Sequence, residues 1–404
     1  MQQQIPVSAS SPSWPRVLAG AVVGSATGIS AVLLYTNGLF VAGLAQEFGL
    51  TRAQFGLGVL LVTISLAIAN PFVGWLVDRF GARGLSVLGL LLLSAGFAAL
   101  GHFTHSVPSY LLLQMLLGLL GAGCGPIAYT KLIGTTFTRH RGLALGLTMT
   151  GIGVGAALLP PLIARTIEAE GWRAGYSALA LVPLCGAVIT ALLLPRNASR
   201  TASAQITAPA SVEGRPWLAS RTFWVLAATF SLMSFSFGGL LPHFVPMLLD
   251  MGLTPLQAAG IAGQIGLAVI ASRLVVGLLL DRLPAPWIGI GICLIGASGG
   301  LILHQVGASH AGLAAIALGV ALGAELDLLG FLVAQHFKLA QFGRIYGLQY
   351  GAFILGSGLG PLWVGAVRDV SGSYAPALLV SSAGLLLTCV GFVILPAYRP
   401  SSAP

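Results

Sequence analysis

The chain has 404 residues, of which 56% are apolar and only 7% are charged. Soluble globular domains carry about a quarter charged residues, so this composition excludes a soluble enzyme or any sizeable extramembrane domain and indicates a polytopic membrane protein. The net charge of +9 comes from basic residues scattered among short loops, which excludes a nucleic-acid-binding surface and bears on membrane orientation instead.

A bilayer-spanning helix needs about 20 apolar residues. In chain order the apolar runs fall at 17–45, 55–77, 85–103, 110–137, 142–163 and 175–194, then at 223–249, 258–280, 287–306, 311–337, 346–367 and 375–395. They predict an all-α membrane protein of twelve transmembrane helices. Residues 195–221 are rich in Ala, Ser and Thr and form the only long polar stretch inside the chain, which reads as a flexible linker. The expected organisation is a cytoplasmic tail (1–15), a six-helix bundle (16–195), a cytoplasmic linker (196–221), a second six-helix bundle (222–397) and a short tail (398–404). The polar N-terminus lacks an apolar core followed by a small-residue cleavage site, so the first span is expected to serve as the insertion signal. Cys124, Cys185, Cys293 and Cys389 all lie in apolar runs without metal-ligand spacing and read as packing residues. No metal and no cofactor are expected, and the chain is expected to be a monomer.

With the N-terminus inside, the cytoplasmic loops and tails hold thirteen Lys and Arg residues against four in the outer loops, Arg52, Arg165, Arg173 and Arg368. That positive-inside bias places both termini in the cytoplasm, and the inner cell membrane is the expected location. The two halves also repeat. Gly49-Leu-Thr-Arg-Ala-Gln54 returns as Gly252-Leu-Thr-Pro-Leu-Gln257, and Gly74-Trp-Leu-Val-Asp78-Arg79 as Gly277-Leu-Leu-Leu-Asp281-Arg282, both at an offset of 203. Gly153 and Gly155 meet Gly356 and Gly358 at the same offset. A duplicated six-helix unit follows, and such bundles place a substrate site at their interface near the bilayer midplane, open alternately to each side.

The stretch Gly74-x-x-x-Asp78-Arg79-Phe-Gly81-Ala-Arg83 between the second and third spans resembles the signature loop of the major facilitator superfamily, with a weaker copy at Asp281 and Arg282. The resemblance implies two pseudo-symmetric halves and a cytoplasmic clamp. In that clamp Gly74 lets helices approach, Asp78 caps or pairs with neighbouring helix ends, and Arg79, Arg83, Asp281 and Arg282 hold the halves in one state. Within the superfamily the chain is similar to the bacterial monocarboxylate-transporter-like and oxalate–formate-antiporter-like branch. The residues that carry this are Arg273 with Gly277 in the eighth span, Arg139-His-Arg141-Gly-Leu-Ala-Leu-Gly146 leading into the fifth, and Gly171-Trp-Arg173 before the sixth. In that branch the eighth-span arginine holds the substrate carboxylate, which implies that role for Arg273. Three departures stand out. Animal monocarboxylate transporters carry an acid one turn before that arginine, where this chain has Val269; they carry a lysine in the first span, which has none here; and the oxalate exchanger has a lysine in the eleventh span, where 346–367 holds no cation.

Four charges fall inside the predicted spans: Lys131, Arg273, Glu325 and Asp327. Arg273 lies eight residues before Asp281, about 12 Å below the membrane boundary. A guanidinium cannot shed its proton and costs roughly 2.5–3.5 kcal/mol at a helix centre, so it needs a partner or a wet cavity. The partner is either a structural acid, Glu325 or Asp327, or a substrate anion. Glu325 and Asp327 are about 200° apart around the tenth span, so one is expected to face the cavity and the other to pack. Either is a candidate proton carrier. Lys131 either snorkels to the cytoplasmic surface or lines the inner cavity. His243 sits between Pro242 and Pro246 in the seventh span, as a binding residue or as a locally hydrogen-bonded one. Tyr35, Asn37, Asn70, Tyr129, Gln264, Gln349 and Tyr350 are polar or amphipathic groups within the spans, each either a packing residue or a candidate hydroxyl or amide donor beside a carboxylate.

The glycine-rich run 146–161 resembles the fifth-span hallmark of drug-exporting antiporters, but Gln114 stands where proton-coupled exporters carry an arginine. There is no Gly-x-Ser-x-Gly, no phosphate loop and no metal-spaced His/Cys set, so the chain is not expected to be an enzyme. The expected function is uptake of a small organic carboxylate by alternating access together with a proton. A low-dielectric cavity offering one cation favours a monocarboxylate over a dicarboxylate. Exchange of carboxylates, or proton-coupled export of small molecules, are the alternatives.

Overall fold

The computed structural model describes residues 14–136, 141–195, 216–280, 282–337 and 341–395. The tails, most of the linker, the Arg139 approach to the fifth span, and Asp281 therefore lie outside the described residues, and of Gly74 and Asp78 only the backbone is described. Among the described residues all regular secondary structure is helical. Eleven helical stretches are long and apolar enough to cross a bilayer, and one of these, Ala285–His336, folds back on itself as two helices, which makes twelve crossings.

The first crossing is broken into α1 (Trp14–Thr27), α2 (Ile29–Thr36) and α3 (Val41–Phe48), and the fourth into α6 (Val107–Gly121) and α7 (Pro126–Thr136). The breaks meet. Gly28 lies against the carbonyl of Cys124, where any side chain would collide with backbone, so two interrupted helices pack at one depth. The others run unbroken: α4 (Arg52–Phe80), α5 (Ala82–Phe103), α8 (Arg141–Glu170), α9 (Trp172–Leu193), α10 (Arg221–Asp250), α11 (Pro255–Leu280), α12 (Ala285–Val306), α13 (Ala311–His336), α14 (Phe342–Ser371) and α15 (Ala375–Val393). Prolines stand inside α4, α8, α9, α10 and α14. Each removes a backbone hydrogen bond, which a membrane bundle tolerates because neighbouring groups re-satisfy the freed carbonyls.

The repeated segments fold alike. Gly49 and Gly252 take φ of 66° and 90°, where glycine avoids the steric penalty other residues meet. In each copy the following Thr and Gln then close a capping box, Thr51 with Gln54 and Thr254 with Gln257. In each glycine pair one member meets its own half and one the other, but the positions related by the offset exchange these roles. Gly155 and Gly356 let a helix approach its own half, at Ala26 and Ser231, while Gly153 and Gly358 let it approach the other half, at Gly266 and at Leu60 with Thr63.

Twelve crossings bring both termini to one end of the bundle. At the opposite end the halves are sealed along two seams, α4 on α14 and α8 on α11. Gly56 lies on the Pro361 carbonyl, Gly365 on the Arg52 carbonyl, and Gly263 and Gly266 on the backbone of α8 near Ala157, so both seams are backbone contacts. Polar bonds across the halves gather at this end too. The Asp369 carboxylate accepts from the backbone N–H groups of Arg52 (3.0 Å) and Ala53 (2.7 Å) and so caps α4. Glu168 accepts from the N–H of Leu256 at the start of α11 (3.0 Å). Asp250 binds Arg52 (3.1 Å) and Arg368 (2.8 Å) together. Toward the termini three of these four helices, α8, α11 and α14, diverge: side chains added at Gly146, Gly277, Gly347 or Gly351 would meet nothing within 4 Å. The central space therefore opens at the end that carries the termini.

Candidate functional site

Arg273 projects from α11 toward α13. Glycines make this possible: at Gly319 and Gly323 a side chain would collide with the carbonyls of Ile265 and Val269, so the two backbones lie almost in contact. Ser272 fixes the register by donating to the Val320 carbonyl (2.6 Å). The Arg273 Nε donates to the Gly323 carbonyl (3.3 Å) and lies 3.3 Å from the Asp327 carboxylate. A guanidinium has five N–H donors. Among the described residues none accepts a hydrogen bond from the two terminal NH2 groups of Arg273, so four donors remain uncommitted. The Arg273 side chain is 11% exposed and that of Asp327 41%, which places the pair at the wall of the open space.

Glu325 is different. It is 7% exposed, and its Oε2 is buried without a hydrogen-bond partner. The two acids on α13 thus divide, with Asp327 on the accessible side beside Arg273 and Glu325 packed in the second half.

Of the other candidates, Tyr35 on α2 and Tyr350 on α14 join this cluster. Arg273 and Glu325 act electrostatically on Tyr35, and Glu325 on Tyr350. His243 is fully buried at the sealed end: Nε2 lies 2.9 Å from the Pro361 carbonyl, Nδ1 lies 3.3 Å from the Tyr374 hydroxyl, and its ring meets Phe55 edge-on. It ties α10 to α14 rather than standing beside Arg273. Asn37 accepts from Gln114 (3.1 Å), which also donates to Tyr110 (2.9 Å), a chain of bonds internal to the first half. Gln114 is thereby held through its amide nitrogen, while its Oε1 is buried without a hydrogen-bond partner. Gln264 packs on Gly312, Gln349 donates to the Phe223 carbonyl (2.8 Å), and Tyr129 is buried against Gly24. Asn70 is half-buried in α4 next to Pro71, and Lys131 is half-buried on α7.

Among the described residues, the clamp arginines make no bond to the opposite half, while the side chains of Asp78 and Asp281 lie outside the described residues. Arg83 donates to the Ala191 carbonyl within the first half, Arg79 lies over Trp75 and Phe80 of its own helix, and Arg282 is exposed. Sequence reasoning missed the sealing carboxylates Glu168, Asp250 and Asp369, and also Tyr346 and Phe353, whose spacing with Tyr350 on α14 was a visible signal. Two small voids flank Leu34, of about 40 Å³ and about 10 Å³, both lined mainly by apolar side chains. Either is too small for an organic acid. No group of three or more His, Cys, Asp or Glu among the described residues could hold a metal ion.

Residues 23–361 match the family model of the Major Facilitator Superfamily. The chain belongs to this superfamily. It is similar to the human (Homo sapiens) protein named monocarboxylate transporter 11, 28% identical over 97% of this chain and 85% of that one. It is also similar to the gallate transporter of Pseudomonas putida, 29% identical over 80% of this chain and 82% of the other, and to the 4-hydroxybenzoate transporter PcaK of the same organism, 27% identical over the same shares. Among solved structures, a bacterial homologue of the human lysosomal transporter Spinster, inward-facing and unoccupied, superposes with a TM-score of 0.68 at 18% identity, covering 96% of both chains. That likeness supports the fold. A superfamily transporter, rather than an enzyme, is the class to which the chain belongs.

Proposed function

We propose that the protein takes up a small organic monocarboxylate across the inner cell membrane by alternating access, with Arg273 as the carboxylate anchor and a proton as the companion ion. The observation that carries this reading is the unspent face of the Arg273 guanidinium, four N–H donors at the wall of an open space. A planar fork of this kind matches a carboxylate bidentately. The names of the relatives, which specify monocarboxylates and two aromatic acids, agree with a carboxylate cargo. The positive-inside bias puts the termini in the cytoplasm, so the state described here is open inward and sealed outward.

Carrying an anion inward against a negative-inside potential costs about 2.3 kcal/mol per charge per 100 mV, and a co-transported proton cancels that charge. Asp327 and Glu325 are its carriers in this reading. An arriving carboxylate competes with Asp327 for Arg273, and the displaced acid, deprived of its cation, takes the proton. Lys131, Tyr35, Asn70 and Tyr350 complete the inner cavity. The test is binding and counterflow in proteoliposomes with Arg273→Lys and Arg273→Ala. Lysine keeps the charge but loses the fork, and weakening by about 1–3 kcal/mol is expected; alanine abolishes transport. Full transport by correctly inserted Arg273→Ala protein refutes the anchor.

A further inference from the structure

Tyr346, Tyr350 and Phe353 stand at i, i+4 and i+7 on α14, so their side chains line one face of that helix. The rings of Tyr346 and Tyr350 are 6.1 Å apart between centroids and 5° from parallel. Those of Tyr350 and Phe353 are 6.0 Å apart and 11° from parallel. Three near-parallel rings thus form a staircase roughly two helical turns tall.

Its foot rests on α13, where the edge of the Tyr346 ring is 3.6 Å from the point at which a side chain on Gly330 would begin. Gly330 lies three residues beyond Asp327, on the same face of α13. Asp327 and Arg273 both act electrostatically on Tyr346, and Glu325 acts on Tyr350. From the first half, Tyr35 lies within electrostatic reach of Arg273 and Glu325. The arginine with unspent donors is therefore flanked by aromatic side chains from both halves.

Holding a carboxylate on Arg273 gives these rings no task. Phe353 is buried in the core, but Tyr346 and Tyr350 do not behave as simple filler. The large rings of the core, such as Phe40, Tyr110, Tyr176 and Phe230, are sealed from solvent, whereas Tyr346 and Tyr350 stay half-exposed. A short aliphatic acid on Arg273 would leave those faces against water. A ring joined to the carboxylate would cover them in the offset or edge-on arrangements that aromatic pairs favour. We propose that the Tyr346–Tyr350–Phe353 staircase is the ring-binding wall of the substrate site, and that the cargo is an aromatic monocarboxylate with its carboxylate on Arg273 and its ring against Tyr346 and Tyr350. This rests on Arg273 being the carboxylate anchor.

The experiment compares benzoate with cyclohexanecarboxylate, an acid of similar size without a π-face, by calorimetry on purified protein in nanodiscs. Wild type binds benzoate roughly threefold to tenfold more tightly. That ratio falls toward one in Tyr350→Leu and is retained in Tyr350→Phe. Because each ratio is taken on a single preparation, it does not depend on how much protein folds. Equal binding of the two acids by wild type, or an unchanged ratio in Tyr350→Leu, overturns the wall. Arg273→Ala separates the two readings. Loss of both acids in that variant, with a wild-type ratio of one, removes the wall and keeps the anchor; benzoate binding as strong as in wild type removes the anchor and the wall with it. Failure of wild type to bind either acid overturns both.

Discussion

Replacing Asp369 by Asn tests whether the outer seal is held by charge as well as by packing. The Asp369 carboxylate receives two backbone N–H groups from the first turn of α4, at 3.0 and 2.7 Å, across the boundary between the halves. Asparagine keeps one acceptor oxygen, so the substitution removes about one hydrogen bond, worth roughly 0.5–1.5 kcal/mol net. It also removes a negative charge from a helix N-terminus, worth about 0.3–1 kcal/mol. Only contacts absent from the outward-open state move the equilibrium, and both of these are lost when α4 and α14 part. A bias of about 1–2 kcal/mol is expected, a five- to thirtyfold rise in the outward-open population. The assay is labelling of Val59→Cys, in protein whose exposed Cys185 has been replaced, by an impermeant maleimide applied from outside. Val59 is buried and lines the larger void beside Pro242, so it reacts only when that seam opens. With opening fast relative to labelling, the rate follows the open population. A labelling rate within twofold of the parent would show that the carboxylate caps α4 without holding the gate.

Two further substitutions probe the site and the second seam. Asp327→Asn frees Arg273 from a partly exposed pair worth about 0.5–1 kcal/mol, so a monocarboxylate should bind two- to fivefold more tightly while proton uptake on binding declines; weaker binding by calorimetry would show that Asp327 assists the substrate rather than competing with it. Gly266→Val places methyl groups against the backbone of Ala157 and Gly153, an overpacking cost of about 1–3 kcal/mol borne by the sealed state; outside labelling of Ala259→Cys, buried near the start of α11, should rise at least fivefold, and an unchanged rate would show that the Gly266 contact does not hold the gate.

The crossings were legible because each is a long apolar run, and the far-end loops because Gly-x-Thr-x-x-Gln writes a left-handed turn and a capping box in consecutive residues. Arg273 was legible as a charge that needs a partner. Which acid it meets was not, since the 200° between Glu325 and Asp327 says that they differ but not which face α11 covers. His243 shows the same limit: its partners, Pro361 and Tyr374, lie more than a hundred residues away on other helices, and no local pattern points to them. Gln349 and Tyr129 read as either packing groups or donors to a substrate, because sequence alone cannot tell a donor facing water from one that packs inside its own half. The breaks in the first and fourth crossings fall at Gly28 and within the Gly121–Gly125 cluster, and only the packed structure shows that they touch.

The far-end seal also carries the mark of its descent. Leu256 stands 203 residues after Ala53, and each offers a backbone N–H to a carboxylate of the other half, Glu168 in one case and Asp369 in the other. A pair of identical subunits about a twofold axis makes every contact twice, and here the donors keep the offset of 203 while the acceptors, 201 residues apart, have slipped by two. Once two copies are fused into one chain, each side of the axis is free to drift. Asp250 and Arg368 stand 203 residues after Glu47 and Arg165, yet Asp250 binds Arg52 of the opposite half while Glu47 stays with Arg173 of its own. Pro255 occupies the place of Arg52 and can offer no such bridge. Both seams rest on glycine packing and a capped helix start, but the α4–α14 side alone adds the Arg52–Asp250 ion pair, so the two lips of the gate are unequal.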